Sequence, residues 1–189
     1  MKKILVLDFG SRFTKNVDDI LTKLNINHEI VKHDYDFSMV NDEIKGLIFT
    51  GSKDTVYDVG RRCQSEFIKN NIPKLGICYG HQLINDELGG TVAKATIPEM
   101  DKQVKVVIDI DNKLFEGMNK IQNVSMFHND EVTKMGEGFI CLAHGDDCKI
   151  AATYNEKYNI YTVQFHPECE TYADYSEEYF SNFAKICGV

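Results

Sequence analysis

Cys78 stands between two close glycines in Gly76-Ile77-Cys78-Tyr79-Gly80-His81-Gln82, and a thiol so placed can act as a nucleophile. The glycines permit a sharp, strained turn that pushes the side chain between them into a cleft. An apolar run ending Ile72-Pro73-Lys74-Leu75 precedes the motif, and a helical pattern over residues 82–88 follows it. Strand, tight turn and helix make a nucleophile elbow, and a thiol at a helix start gains thiolate character. The competing reading is a small buried apolar cysteine, the commonest state of a free thiol. Far along the chain, Gln164-Phe165-His166-Pro167-Glu168 closes the run Ile160-Tyr161-Thr162-Val163. His166 and Glu168 lie two apart, so extended backbone points them the same way, with Pro167 bending the local path. A cysteine nucleophile needs an imidazole as base and later as acid, and the imidazole needs a carboxylate to fix its tautomer. Cys78, His166 and Glu168 form that complete set. A His and Glu at a strand end, taken alone, are more often solvated; the elbow upstream gives this pair a task.

The elements that must position these residues can be read from periodicity. Residues 4–8 are a continuous apolar run, as expected of a buried parallel strand. Gly10-Ser11 turns, and Val17, Ile20, Leu21 and Leu24 recur at helical spacing. Residues 28–32 and 46–50 read as further strands, residues 63–70 as a helix, and then comes the strand into Cys78. Alternating strand and helix predicts a doubly wound α/β unit with a mostly parallel central sheet of flavodoxin-like type. Ligands of such sheets sit at the carboxyl ends of strands, where Asp8-Phe9-Gly10, Thr50-Gly51-Ser52 and Cys78 all fall. From about Val92 the texture changes to short strands at 104–110, 124–127, 139–143, 150–154 and 160–165. These predict a mixed or antiparallel extension of the same sheet. Tyr179, Phe180, Phe183 and Ile186 suggest a closing helix.

The 189 residues suggest one domain, 1–189, with a real core. Hydrophobic content is 43% and charged content 26%, which reads as globular. A net charge of −8 argues against a nucleic-acid or anionic-membrane surface as the main partner. The six cysteines show no C-x-x-C pair and no compact Cys/His ligand set, so no metal is expected. Asp8 ends the apolar run after Met1-Lys2-Lys3 well short of a signal sequence, and no segment approaches a membrane span. The expectation is a cytoplasmic protein with reduced thiols.

The segments 76–84 and 163–168 resemble the class I (triad) glutamine amidotransferases, and the likeness runs over essentially the whole chain. Within that family Leu7-Asp8-Phe9-Gly10-Ser11, Gly89-Gly90, His128-Asn129-Asp130-Glu131-Val132 and the ending Asn182-Phe183-Ala184-Lys185-Ile186-Cys187-Gly188 are similar to the members that serve GMP synthesis. The resemblance implies that Cys78 attacks the side-chain amide of L-glutamine, with His166 as acid and base and Glu168 orienting it. It implies an oxyanion hole from the N–H of Tyr79 and an N–H of the Gly51-Ser52 turn. It also implies a glutamine pocket lined by Gln82, His128 and Asn129. Ammonia would pass to a separate synthetase (ATP pyrophosphatase) subunit; no cofactor is expected here, and ATP and magnesium would belong to that partner.

Four places depart from the family pattern. Thr50-Gly51-Ser52-Lys53 replaces a usual Ser-Gly-Gly-Pro, so a turn that needs φ > 0 at Ser52 would be strained. Arg12-Phe13 stands where Gln-Tyr is common, Phe127 where serine is common, and Cys169 where a small apolar residue is usual. His81 is expected to be structural, His28, His33 and His144 to lie on the surface, and Cys63, Cys141, Cys148 and Cys187 to be core or neutral positions. Asp8 is expected to bind loop backbone. Two other functions remain open: the same glutaminase chemistry for another acceptor (anthranilate, aminodeoxychorismate or pyrimidine type) or a γ-glutamyl hydrolase, and a non-catalytic regulatory module.

Overall fold

The computed structural model of the chain describes residues 1–58 and 60–189. Its apolar runs become parallel strands: β1 (Lys3–Asp8), β2 (His28–Lys32), β3 (Ile44–Phe49) and β4 (Lys74–Ile77). The later strands are β5 (Thr91–Ile108), β6 (Ile121–Lys134), β7 (Phe139–Gly145), β8 (Ala152–Asn155) and β9 (Ile160–Val163). They form one sheet in the order β2-β1-β3-β4-β9-β8-β7-β5-β6. The first five strands in that order are parallel, and the pairings from β9 onward are antiparallel. The expected parallel sheet with an antiparallel extension is therefore what the chain builds.

Strand alternation divides the core between the two faces. Ile4, Val6, Ile48, Leu75 and Ile77 face a cluster with Val17, Ile20 and Leu21 of α1 (Thr14–Lys23) and Tyr179, Phe180 and Phe183 of α3 (Ser176–Cys187). Leu5, Leu7, Leu47 and Phe49 face the other cluster, with Leu83 and Ile84 of α2 (Tyr79–Glu87) and Phe67. Lys74 is fully buried at the start of β4. Its ammonium donates to the carbonyls of Asn70 (2.8 Å), Ile72 (2.6 Å) and Tyr158 (3.0 Å), joining two connections that flank β4 and β9.

Three elements differ from the sequence reading. The helix expected over 63–70 is a single 3-10 turn, Ser65–Phe67. Asn70 takes over the local backbone instead: its amide donates to Glu66 and Phe67 carbonyls and its oxygen accepts from Ile72 N–H. Pro73 then disfavours helix at Ile72. The helix after the nucleophile begins at Tyr79, three residues before the expected 82. The strands expected at 104–110 and 124–127 are parts of a much longer hairpin, β5–β6. A solvated, charged sequence (Lys94, Glu99, Asp101, Lys102) obscures its outer half, as suits strands with one exposed face. Register shifts between Lys94 and Glu99, and again between Met100 and Lys102, break that ladder.

Candidate active site

Cys78 ends β4 and begins α2 with φ 52° and ψ −102°, a left-handed conformation that costs a non-glycine residue strain. The two flanking glycines make it possible. A Cβ on Gly80 would lie 2.5 Å from the Phe49 carbonyl oxygen, and one on Gly76 would lie 2.9 Å from Gly80 backbone. Helix and strand therefore approach more closely than any side chain allows, and the elbow is locked by the Cys78 N–H to Val163 carbonyl bond (2.8 Å).

The continuation of β9 brings the base to the thiol. His166 N–H donates to the Ser125 carbonyl (2.9 Å), and Ser125 Oγ donates to the Cys169 carbonyl (2.8 Å), so β6 holds both ends of the His-Pro-Glu segment. Asn16 of α1 donates to the Glu168 carbonyl (3.1 Å). His166 Nδ1 donates to Glu168 Oε1 at 2.7 Å, with both side chains buried, which leaves Nε2 for chemistry. Burial opposes charge on His166, but the Glu168 carboxylate and then the Cys78 sulfur outweigh it, and the imidazole is pushed up to about 10. The pair is thus poised as an imidazolium next to a sulfur that benefits from it.

Gly51 closes the floor: a Cβ there would lie 3.0 Å from His166 Cε1 and 3.7 Å from Cys78 Cβ. Ser52 is not among the described residues with positive φ; its Oγ instead accepts from Asp54 N–H at 3.1 Å. The turn differs in shape from one that needs a second glycine, and the strain expected there is absent. Among the described residues, the backbone N–H groups of Gly51, Ser52 and Tyr79 have no protein acceptor. Asp8 does hold loop backbone, accepting from Gly10 N–H (2.8 Å) and Thr14 Oγ1 (2.7 Å).

Cys78 and His166 open into a cleft of about 750 Å³ that Gln82, His128, Asn129, Ser52 and Phe127 also line. Gln82 is buried, with its amide donating to the Asp130 carbonyl (2.7 Å) and Gln164 Oε1 (3.1 Å). Both nitrogens of His128 are engaged, Nδ1 by the Asp130 carbonyl (3.0 Å) and Nε2 by Glu99 (3.1 Å), so its ring offers the cleft shape rather than a free hydrogen bond. Asn129 is exposed at the rim. His81 is structural as expected: fully buried, bonded to Thr162 Oγ1 at 2.7 Å, and pushed down to about 3 by burial, hence neutral. His28, His33 and His144 are half-buried rather than fully on the surface.

Two of the departing segments meet in space. The rings of Phe13 and Phe127 lie 4.9 Å apart, at 4.9 Å and 5.7 Å from the His166 ring, and the Arg12 guanidinium sits 4.7 Å from both phenyl centroids. The larger ring at 127 is accommodated by Phe13 and covers the imidazole. Sequence reasoning did not connect these residues, because no local pattern relates positions 12–13 to 127. It also missed Gln164, whose amide donates to Cys78 Sγ at 3.7 Å; the one signal was its place two residues before His166 on the same strand face.

The Glutamine amidotransferase class-I family model matches residues 5–186. A protein of Methanocaldococcus jannaschii named as a stand-alone subunit of glutamine-hydrolyzing GMP synthase is 35% identical, over 98% of this chain and 97% of that protein. The glutamine-hydrolyzing GMP synthase of Lactobacillus johnsonii is 40% identical over 98% of this chain, which spans only 36% of that longer protein. A solved Thermoplasma acidophilum protein described as a GMP synthase subunit superposes with a TM-score of 0.84 at 30% identity, covering 100% of this chain and 94% of the other.

Proposed function

This chain belongs to the class-I glutamine amidotransferase family, and we propose that residues 1–189 form one amidotransferase unit supplying ammonia for GMP formation. The observation that carries the reading is the buried Cys78–His166–Glu168 set at the mouth of a cleft large enough for an amino acid. Cys78 thiolate attacks the side-chain carbonyl carbon of L-glutamine. The tetrahedral oxyanion is held by the Tyr79 N–H and an N–H of the Gly51-Ser52 turn, all without competing protein acceptors among the described residues. His166 Nε2 gives its proton to the departing nitrogen, and ammonia leaves behind a γ-glutamyl thioester. The now neutral His166 takes a proton from water, the hydroxide adds to the thioester, and glutamate leaves as the thiolate and imidazolium are restored. Gln82 and Asn129, with the wall formed by His128, line the amino-acid pocket.

The synthetase that receives the ammonia is a separate ATP pyrophosphatase subunit that uses XMP, and ATP and magnesium belong to it. Full-length likeness to a protein named as one subunit of a GMP synthase supports this division of labour. No helix among the described residues is long and apolar enough to cross a membrane; a cytoplasmic site of action fits purine nucleotide chemistry. Purified chain should release ammonia from glutamine weakly by itself. Release should rise steeply when a GMP synthetase subunit, ATP, magnesium and XMP are all present. A rise with a chorismate-using partner instead would move the acceptor elsewhere while keeping the glutaminase chemistry.

A further inference from the structure

A buried line of hydrogen bonds runs from the hairpin β5–β6 to the nucleophile. Glu99 Oε2 meets His128 Nε2 at 3.1 Å, and His128 Nδ1 donates to the Asp130 carbonyl at 3.0 Å. The same carbonyl accepts from Gln82 Nε2 at 2.7 Å, which also donates to Gln164 Oε1 at 3.1 Å. Gln164 Nε2 ends the line on Cys78 Sγ at 3.7 Å. Every side chain in it, and Asp130 itself, is buried, with Glu99 only 2% exposed.

The direction of each bond is dictated by its neighbour. A carbonyl oxygen can only accept, so the Asp130 carbonyl fixes the proton on His128 Nδ1 and turns the Gln82 amide nitrogen toward itself. That nitrogen forces the oxygen of Gln164 inward, which leaves the Gln164 N–H facing sulfur. One proton is then shared between His128 Nε2 and Glu99, and the pair is neutral overall in either placement. Glu99 reaches this position because the ladder skips from Lys94 opposite Asp130 to Glu99 opposite His128, a bulge that re-aims the strand inward.

We propose that Gln164 contacts and steadies the catalytic thiolate, and that Glu99 is a remote positioning residue which orients Gln164 through His128, Asp130 and Gln82. This rests on the glutaminase reading above, since it assigns the nucleophile to Cys78. An N–H aimed at sulfur favours the charged form. Its orientation is lost if Glu99 no longer anchors His128, because the Asp130 carbonyl and the Gln82 amide become free to rotate.

The test is the rate at which iodoacetamide alkylates Cys78 in the folded full chain, read by peptide mass spectrometry, beside steady-state glutamine hydrolysis. Gln164→Leu should slow alkylation and kcat by about tenfold, the worth of one hydrogen bond to a charged group. Glu99→Ala should slow both by about three- to tenfold, typical of a residue acting through a buried network. Glu99→Gln should restore both, because a glutamine N–H can donate to neutral Nε2 and keep the Nδ1 proton in place. A purely structural role for Glu99 would lower the melting temperature without changing alkylation of the folded protein. Unchanged alkylation in folded Glu99→Ala, or a Glu99→Gln protein as slow as Glu99→Ala, overturns the proposal. If Glu99→Ala does not fold, Gln82→Leu breaks the same line nearer the thiol, and normal alkylation there overturns it equally. Wild-type protein without glutaminase activity counts against the proposed function, while alkylation still decides the role of the line.

Discussion

At the scale of single residues, the site is an ion pair under an aromatic cover. Cys78→Ala should abolish ammonia release while leaving the melting temperature close to wild type, since it removes one small buried atom. His166 sets the alkaline limit. Its folded value of about 10 lies above the ordinary 6.5. The charged pairing therefore stabilises the fold in full below about 6.5 and is lost as pH rises through about 10. The same deprotonation removes the acid that ammonia departure needs, so kcat should fall on the alkaline side near pH 10. In Glu168→Gln the carboxylate that raises the imidazole is gone and burial prevails, so that limb should move to lower pH; a pH profile that does not shift would contradict the assigned orienter. Arg12→Ala removes two cation–π contacts at an exposed position and should cost no more than about 1 kcal/mol in thermal denaturation. Phe127→Ala should cost more and open the imidazole to water, seen as faster solvent exchange at His166 by NMR.

Helix α2 and strand β4 show how an element is forced by its closest approach. Gly80→Ala would drive a methyl group against the Phe49 carbonyl at 2.5 Å, backbone that cannot step aside. Such overpacking should cost about 3 kcal/mol or more, read as a collapse of the denaturation midpoint or loss of soluble protein. The elbow was legible in sequence because everything it needs is local: two glycines, the thiol between them, and apolar runs on both sides. The His-Pro-Glu segment was legible for the same reason. The helix expected at 63–70 failed because Asn70 and Pro73 override the periodicity of the residues before them. The outer half of β5–β6 was hidden by charges that point to solvent. The line from Glu99 to Cys78 could not be seen at all, since its links join residues 29, 48, 82 and 86 positions apart and none carries a local pattern.

The whole molecule joins a parallel half to an antiparallel half at β4 and β9, and the site straddles that seam. Lys74 braces it from below, donating to carbonyls of both flanking connections. Lys74→Met would leave those buried acceptors unpaired and should cost about 3 kcal/mol in urea unfolding without changing KM for glutamine. The position of β9 has a further consequence in time. It is the last strand to leave the ribosome, yet it inserts between β4 and β8 in the middle of the sheet. Until it does, β4 has an open edge, and the thiol has no imidazole. Pairings of such long sequence separation form late in folding. In a stopped-flow refolding experiment the helical and sheet signals should therefore return before glutamine hydrolysis does. A growing or truncated chain lacking β9 would be chemically silent, so the cell risks no stray hydrolysis of its glutamine pool by half-made copies.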